Sequence, residues 1–145
     1  MKKVLILSYF FPPCNLTGAN RPMGWFKYLH EFGYYPVVVT RNWSTPIATE
    51  TDICLAAGSH LQIEKTAGGE IHRIPFKPKL RDRLVTKKNK GLPWLLLQKL
   101  LTLVELIFGR WIPQMNPSYA LGKYAETLCK QDPEVRCLII SANPY

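Results

Sequence analysis

The apolar and polar positions of this chain alternate between two rhythms. Val4-Leu5-Ile6-Leu7-Ser8 is a short, unbroken apolar run of the kind that forms a buried parallel strand. After a loop, Trp25, Tyr28, Leu29 and Phe32 recur at helical spacing from Pro22, which suits a first helical turn, to Gly33, a C-cap glycine. Val37-Val38-Val39-Thr40 is a second strand. Between Asn42 and Gly69 the pattern is weak, with only His60 to Glu64 alternating as a short strand does. Beyond the Gly68-Gly69 turn, Glu70 to Pro75 alternates again, which sets His72 toward solvent between two buried isoleucines.

From Leu92 to Trp111 the chain is densely apolar, interrupted by Gln98, Lys99, Thr102 and Glu105, so it does not read as a spanning helix. Positions 98, 102 and 105 form one narrow polar stripe and leave a wide apolar face that includes Trp94, Leu97, Leu101, Val104 and Phe108. Two explanations stand: a helix buried in the core or against a partner domain, or one lying in a membrane interface. Asn116 and Pro117 read as an N-cap and first-turn proline for a helix carrying Leu121, Tyr124, Ala125 and Leu128. Arg136 to Ser141 reads as a further buried strand before Ala142-Asn143-Pro144-Tyr145.

Strand, loop, helix, strand is the opening of an α/β, Rossmann-like, doubly wound parallel sheet. In that fold the loop after the first strand shapes a ligand pocket. The stretch Tyr9 to Arg21 is longer than the roughly 2 to 6 residues of an ordinary strand-to-helix connection. It offers Gly18 and, at a helix N-terminus, Arg21, where unpaired N–H groups and a guanidinium together suit phosphate or carboxylate. Pairing of Arg21 with a surface carboxylate is the competing reading.

Composition adds three constraints. The chain has 145 residues, 47% hydrophobic and 20% charged, enough for one domain with a core and too few for two full domains. Its net charge of +9 is concentrated in Lys77–Lys90, where seven cations face only Asp82, a composition that fits a solvated connector or a segment meeting anionic head groups or nucleic acid. No aromatic platform is interleaved with those lysines, which argues against nucleic acid. Cys14, Cys54, Cys129 and Cys137 form no CxxC pair and no zinc-type spacing with His, so they read as reduced, partly buried thiols of a cytoplasmic protein, with no metal. Met1-Lys2-Lys3 and the following apolar run imitate a signal peptide but lack a small-residue cleavage site, and a buried strand explains them better. The sequons at Asn15 and Asn42 then have no role.

There is no G-x-G-x-x-G, G-x-x-x-x-G-K-[ST], H-E-x-x-H or G-x-S-x-G, which removes the simplest dehydrogenase, NTPase, metalloprotease and hydrolase readings. The chain instead resembles the N-terminal half of the retaining GT-B glycosyltransferases of family 4, which build cell-surface polysaccharide, lipopolysaccharide and glycolipid. Four segments carry the resemblance: the first strand into Phe11-Pro12-Pro13 and Gly18-Ala19-Asn20-Arg21-Pro22; Tyr28 to Gly33 before Tyr35-Pro36-Val37-Val38-Val39-Thr40; Trp111-Ile112-Pro113; and Ile139 to Tyr145.

The resemblance implies a nucleoside-diphosphate sugar as donor, a glycan or lipid-linked acceptor, no further cofactor, and a second, donor-binding domain absent from these 145 residues. It further implies that Gly18 and Ala19 admit close backbone approach and that Arg21 holds an anionic group. Ser141, Ala142, Asn143 and Pro144 would line the opposite wall. Ala19 stands where relatives carry a second glycine, and none of His30, His60 and His72 occupies a catalytic position, so no catalytic residue is named. The expected setting is cytoplasmic, peripheral on the inner membrane face through Lys77–Lys90 and Leu92–Phe108. The alternative is a non-catalytic Rossmann-like interaction or membrane-docking module.

Overall fold

The computed structural model describes residues 2–43, 46–47, 49–86, 91–109, 111–112, 116 and 118–141. Asn143, Ala142 and Pro144 of the expected site, Lys87, Lys88 and Lys90 of the basic run, and Pro113 and Pro117 lie outside them.

Five strands form one sheet: β1 (Lys2–Ser8), β2 (Tyr34–Arg41), β3 (Gln62–Thr66), β4 (Gly69–Ile74) and β5 (Val135–Ser141). Their order is β3-β4-β2-β1-β5, with β4, β2, β1 and β5 parallel and β3 antiparallel on β4. The chain therefore winds outward from β1 in one direction through β2 and β4, then returns to the other side of β1 with β5. This is the doubly wound α/β arrangement expected from the sequence, and its switch point lies between β1 and β5.

The central strands are buried on both faces. Val4, Ile6, Val38 and Ile71 pack with Phe11 beneath Trp25, Phe26 and Leu29 of the first helical segment. Leu5, Val37 and Val39 pack on the other face against Leu121 and Ala125. Alternate residues of β1 thus feed two cores, which is why this run shows no polar alternation. The helices are α1 (Asn20–Tyr28), α2 (Leu80–Thr86), α3 (Leu92–Phe108) and α4 (Tyr119–Gln131).

Five expectations need correction. The first helix tightens after Tyr28 into a 3-10 turn over Leu29–Phe32 before Gly33 caps it at φ 76°. The tighter winding rotates the anticipated stripe, so Leu29 packs inward while Phe32 is 74% exposed. The last helix begins two residues later than expected: Asn116 accepts the Ser118 N–H at 2.8 Å, and Ser118, not Asn116, is the N-cap. β5 is not a buried strand. Only β1 pairs with it among the described residues, and Cys137, Leu138 and Ile140 are exposed. Cys129 is exposed as well, so two of the four thiols are exposed, Cys54 is partly buried and Cys14 alone is buried; all four are free.

His72 is the fifth. It is buried, with Nδ1 2.8 Å from the Tyr124 hydroxyl of α4. β4 is a strand as expected but shows no in-out alternation: Glu70, Ile71 and His72 are buried in succession, and Ile71 and Ile74 pack into opposite cores, because β4 lies between β2 and β3 and Tyr124 of α4 covers its His72 side. The β3–β4 hairpin turns at Ala67-Gly68, one residue earlier than the Gly68-Gly69 turn expected, and Gly69 opens β4 opposite Thr66. A Cβ on Gly69 would sit 2.6 Å from the Pro36 carbonyl oxygen and 2.8 Å from Phe26, so only glycine lets β4 start beside β2 here.

Candidate functional site

A cavity of about 490 Å³ opens at the carboxyl ends of β1 and β5, within the usual size range of small-molecule sites. Its floor is Leu7, Leu121 and Ile140, and its walls include Tyr9, Phe10 and Phe76. Polar groups come from four separate elements: Ser141 at the end of β5, Asn116 and Ser118 at the start of α4, Cys54, and Arg81 with Asp82 at the start of α2. Open α/β sheets bind ligands in this crevice because strand order reverses there and the connections diverge, leaving a gap that loops line.

One buried cation organises one wall. Arg41, the last residue of β2, is 2% exposed. Its Nη1 donates to the Tyr9 hydroxyl at 2.7 Å and to the Ile53 carbonyl at 2.6 Å, and its Nη2 donates to the Leu55 carbonyl at 2.8 Å. The guanidinium stacks 3.5 Å from the Phe76 ring centroid and 4.1 Å from that of Trp43. It has no direct carboxylate partner among the described residues; carbonyl oxygens and ring faces compensate its charge. Burial lowers its pKa from the ordinary value, with the Tyr9 contact opposing. Burial raises Tyr9, and Arg41 pulls it back. The raised pKa leaves Tyr9 neutral at neutral pH.

The long loop after β1 owes its length to packing. Cys14, Trp43 and Ile47 form a small separate core with Tyr9, Phe10, Leu16 and Ile53, and Phe10 stacks on Trp43 at 5.7 Å. Trp43 Nε1 donates to the Tyr9 carbonyl at 3.0 Å. The loop thus presents Tyr9 and Phe10 to the cavity on a fixed base.

Asp82 is buried and holds the α2 entrance: its Oδ2 accepts the Lys79 N–H at 3.0 Å, and its Oδ1 lies 3.2 Å from Arg81 Nη2. Arg81 Nη1 reaches Glu105 Oε2 on α3 at 2.6 Å. Burial, then Asp82, raises the Cys54 thiol, so it stays protonated at neutral pH. Asp82 and Glu105 together offset the Arg81 charge, so the positive contribution to the cavity is that of the N–H groups opening α4.

The expected site residues separate. Ser141 lines the cavity. Gly18 is half-buried in a 3-10 turn over Thr17–Ala19, Ala19 is buried, and Arg21 is exposed in the first turn of α1; none of the three lines this cavity. The reason is the winding of the chain: α1 packs on the sheet face opposite α4, so its first turn leads away from the β1/β5 crevice. Arg21 has no carboxylate partner among the described residues either.

Sequence reasoning missed Arg41, Tyr9, Phe10, Arg81, Asp82 and Ser118. A signal for the first two was present: an arginine directly after Val37-Val38-Val39-Thr40, beside Trp43, with aromatic residues at the end of β1. Asp82, the only carboxylate in the basic run, was the other. Among the described residues no group of three or more His, Cys, Asp or Glu could hold a metal ion. No helix of the described residues is long and apolar enough to cross a membrane. No family model, curated protein or solved structure matches the chain.

Proposed function

We propose that this chain is the acceptor-side domain of a glycosyltransferase that moves a sugar from a nucleoside-diphosphate sugar to a cell-surface glycan or lipid-linked acceptor at the cytoplasmic face of a membrane. The observation that carries the reading is the cavity at the β1/β5 switch point. Its lining suits a sugar: the Tyr9, Phe10 and Phe76 rings match the apolar C–H faces of a pyranose, and Ser141, Asn116 and Ser118 can exchange hydrogen bonds with hydroxyls. The α4 N-terminus favours a phosphate.

In the reaction an acceptor oxygen bonds to the anomeric carbon, the bond from that carbon to the diphosphate oxygen breaks, and the nucleoside diphosphate leaves with the electron pair. The acceptor proton passes to the departing phosphate or to water. This chain contributes binding, orientation and exclusion of water; donor binding belongs to the second domain that the family resemblance implies.

A second reading, a non-catalytic Rossmann-like module, gains support from one observation. The Tyr9 hydroxyl is engaged by Arg41, and Arg81 is engaged by Asp82 and Glu105, so the charged wall is internally satisfied. An NMR titration of the isotope-labelled chain separates the two readings, using a short alkyl glycoside, a short-chain prenyl-diphosphate glycoside and a nucleoside diphosphate as probes. The transferase reading expects saturable shifts at Tyr9, Ser118 and Ser141 with the glycosides, abolished by Ser141→Leu. No shift with any glycoside at millimolar concentration would leave the non-catalytic module.

A further inference from the structure

α3 has no buried residue, although it is apolar nearly all round. A helix with that composition is ordinarily covered on every side. Its half-covered side, Leu97, Leu101, Val104 and Glu105, turns toward the rest of the molecule, and the Arg81–Glu105 ion pair fastens it to α2. The opposite arc points away: Leu92, Leu96, Leu103 and Leu106 are 71%, 60%, 52% and 74% exposed. Lys99 is the charged residue on that arc, and it is exposed; Glu105, the helix's carboxylate, is turned inward. The outward surface of α3 is therefore a leucine row bearing a cation and no anion. Exposed Lys77 and Arg83 lie near its α2 flank in sequence, and Lys88 and Lys90 stand four and two positions before Leu92 in the sequence.

We propose that α3 docks in the plane of a bilayer surface carrying anionic lipid, with its leucine row in the acyl boundary and its cations among the phosphates. The 17-residue helix is roughly 25 Å long, short of a bilayer's hydrocarbon core of about 30 Å, so it suits lying flat rather than spanning. Lys99 extends its apolar stem along the leucines and carries its ammonium up to the phosphate level. Trp94 in the first turn and Trp111, 80% exposed just past the last, sit at the two ends, where indoles favour the head-group region. Charge complementarity selects this partner over a second copy: pairing two α3 arcs would bring two Lys99 side chains into an apolar contact with no carboxylate on either. The surface stands without the sugar-transfer reading. It would also set the cavity beside the bilayer, because Arg81 both lines the cavity and holds α3.

Flotation of the chain with phosphatidylcholine vesicles, with and without phosphatidylglycerol, tests the proposal. The chain is expected to float with the anionic vesicles, to be released by salt, and to ignore pure phosphatidylcholine. Leu96→Gln/Leu103→Gln/Leu106→Gln is expected to weaken binding by at least about tenfold, with an unchanged circular dichroism spectrum because all three side chains face outward. Lys99→Glu, a single exposed change, is expected to weaken anionic binding on its own and keeps the test decisive if the triple variant misfolds. Absence of flotation at low salt, equal binding by both variants, or self-association abolished by the triple variant without any vesicle binding would each overturn it. No readout uses a sugar, so this failure and that of the transferase reading are separable.

Discussion

Arg41 shows how one residue can govern a wall of the cavity. Its guanidinium ties the loop after β1, through Tyr9, to the segment carrying Ile53 and Leu55. Arg41→Met would keep the volume while stranding two carbonyl oxygens and a phenol, at a cost of about 2 to 4 kcal/mol. Arg41→Lys should recover little of it, since an ammonium cannot fork between three acceptors while stacking on two rings. Urea denaturation of both variants checks this; a loss under about 1 kcal/mol for the methionine variant would reduce Arg41 to a spectator.

His72 gives a second residue-scale expectation, about pH. Burial lowers its pKa below the ordinary 6.5, and the nearby Glu70 only partly opposes this. The unfolded chain therefore binds a proton at a pH where the folded chain does not. His72 is neutral in both states above pH 6.5, and stability falls as pH drops below that value until the folded-state histidine also titrates. His72→Gln should flatten this slope between pH 6.5 and pH 5 relative to the parent. Parallel slopes of thermal midpoint against pH would assign the acid sensitivity elsewhere.

At the scale of elements, the α2–α3 junction hangs on few contacts, and Arg81–Glu105 is its clearest bond. The pair is partly exposed, at 30% and 19%, so its coupling should be modest, about 0.5 to 1 kcal/mol in a double-mutant cycle with Arg81→Met and Glu105→Gln. Faster amide exchange through α3 in Glu105→Gln, with α4 unaffected, is the local sign. A coupling near zero would mean that α3 is held by its leucines alone. What sequence made legible at this scale follows from how local the determinants are. β1 and β2 declare themselves because a strand between two covered faces must be continuously apolar, and Gly33 because αL backbone at a helix end favours glycine. β5 has the same apolar look and a different fate, since whether a strand is central or at an edge depends on which neighbours arrive and not on its own residues. Ser141 could be placed by strand position, whereas Gly18, Ala19 and Arg21 could not, because the face on which α1 packs is decided by the winding of the whole sheet. Arg41 and Asp82 were hidden for a related reason: their partners are far apart in sequence.

The whole molecule is stabilised unevenly from one side of the sheet to the other. β1 and β2 are paired on both sides and covered on both faces, while β5 has one neighbour among the described residues and exposes Leu138 and Ile140. Opening free energies should therefore descend from β1 and β2 to β5. The contrast can be read in two substitutions. Val38→Ala, at a fully buried position between Ile6 and Ile71, should cost about 2 to 3 kcal/mol. Leu138→Lys, at a position 46% exposed, should stay within about 0.5 kcal/mol. Both are measured by urea denaturation at two protein concentrations well apart. A large loss at Leu138 that grows with concentration would reveal that copies of the chain cover β5 in solution. A large loss independent of concentration would mean that β5 is covered from within the same chain, and the gradient of stability across the sheet would have to be withdrawn. Small and concentration-independent is the expected result, because a strand that buries little apolar area has little to lose when that area becomes charged.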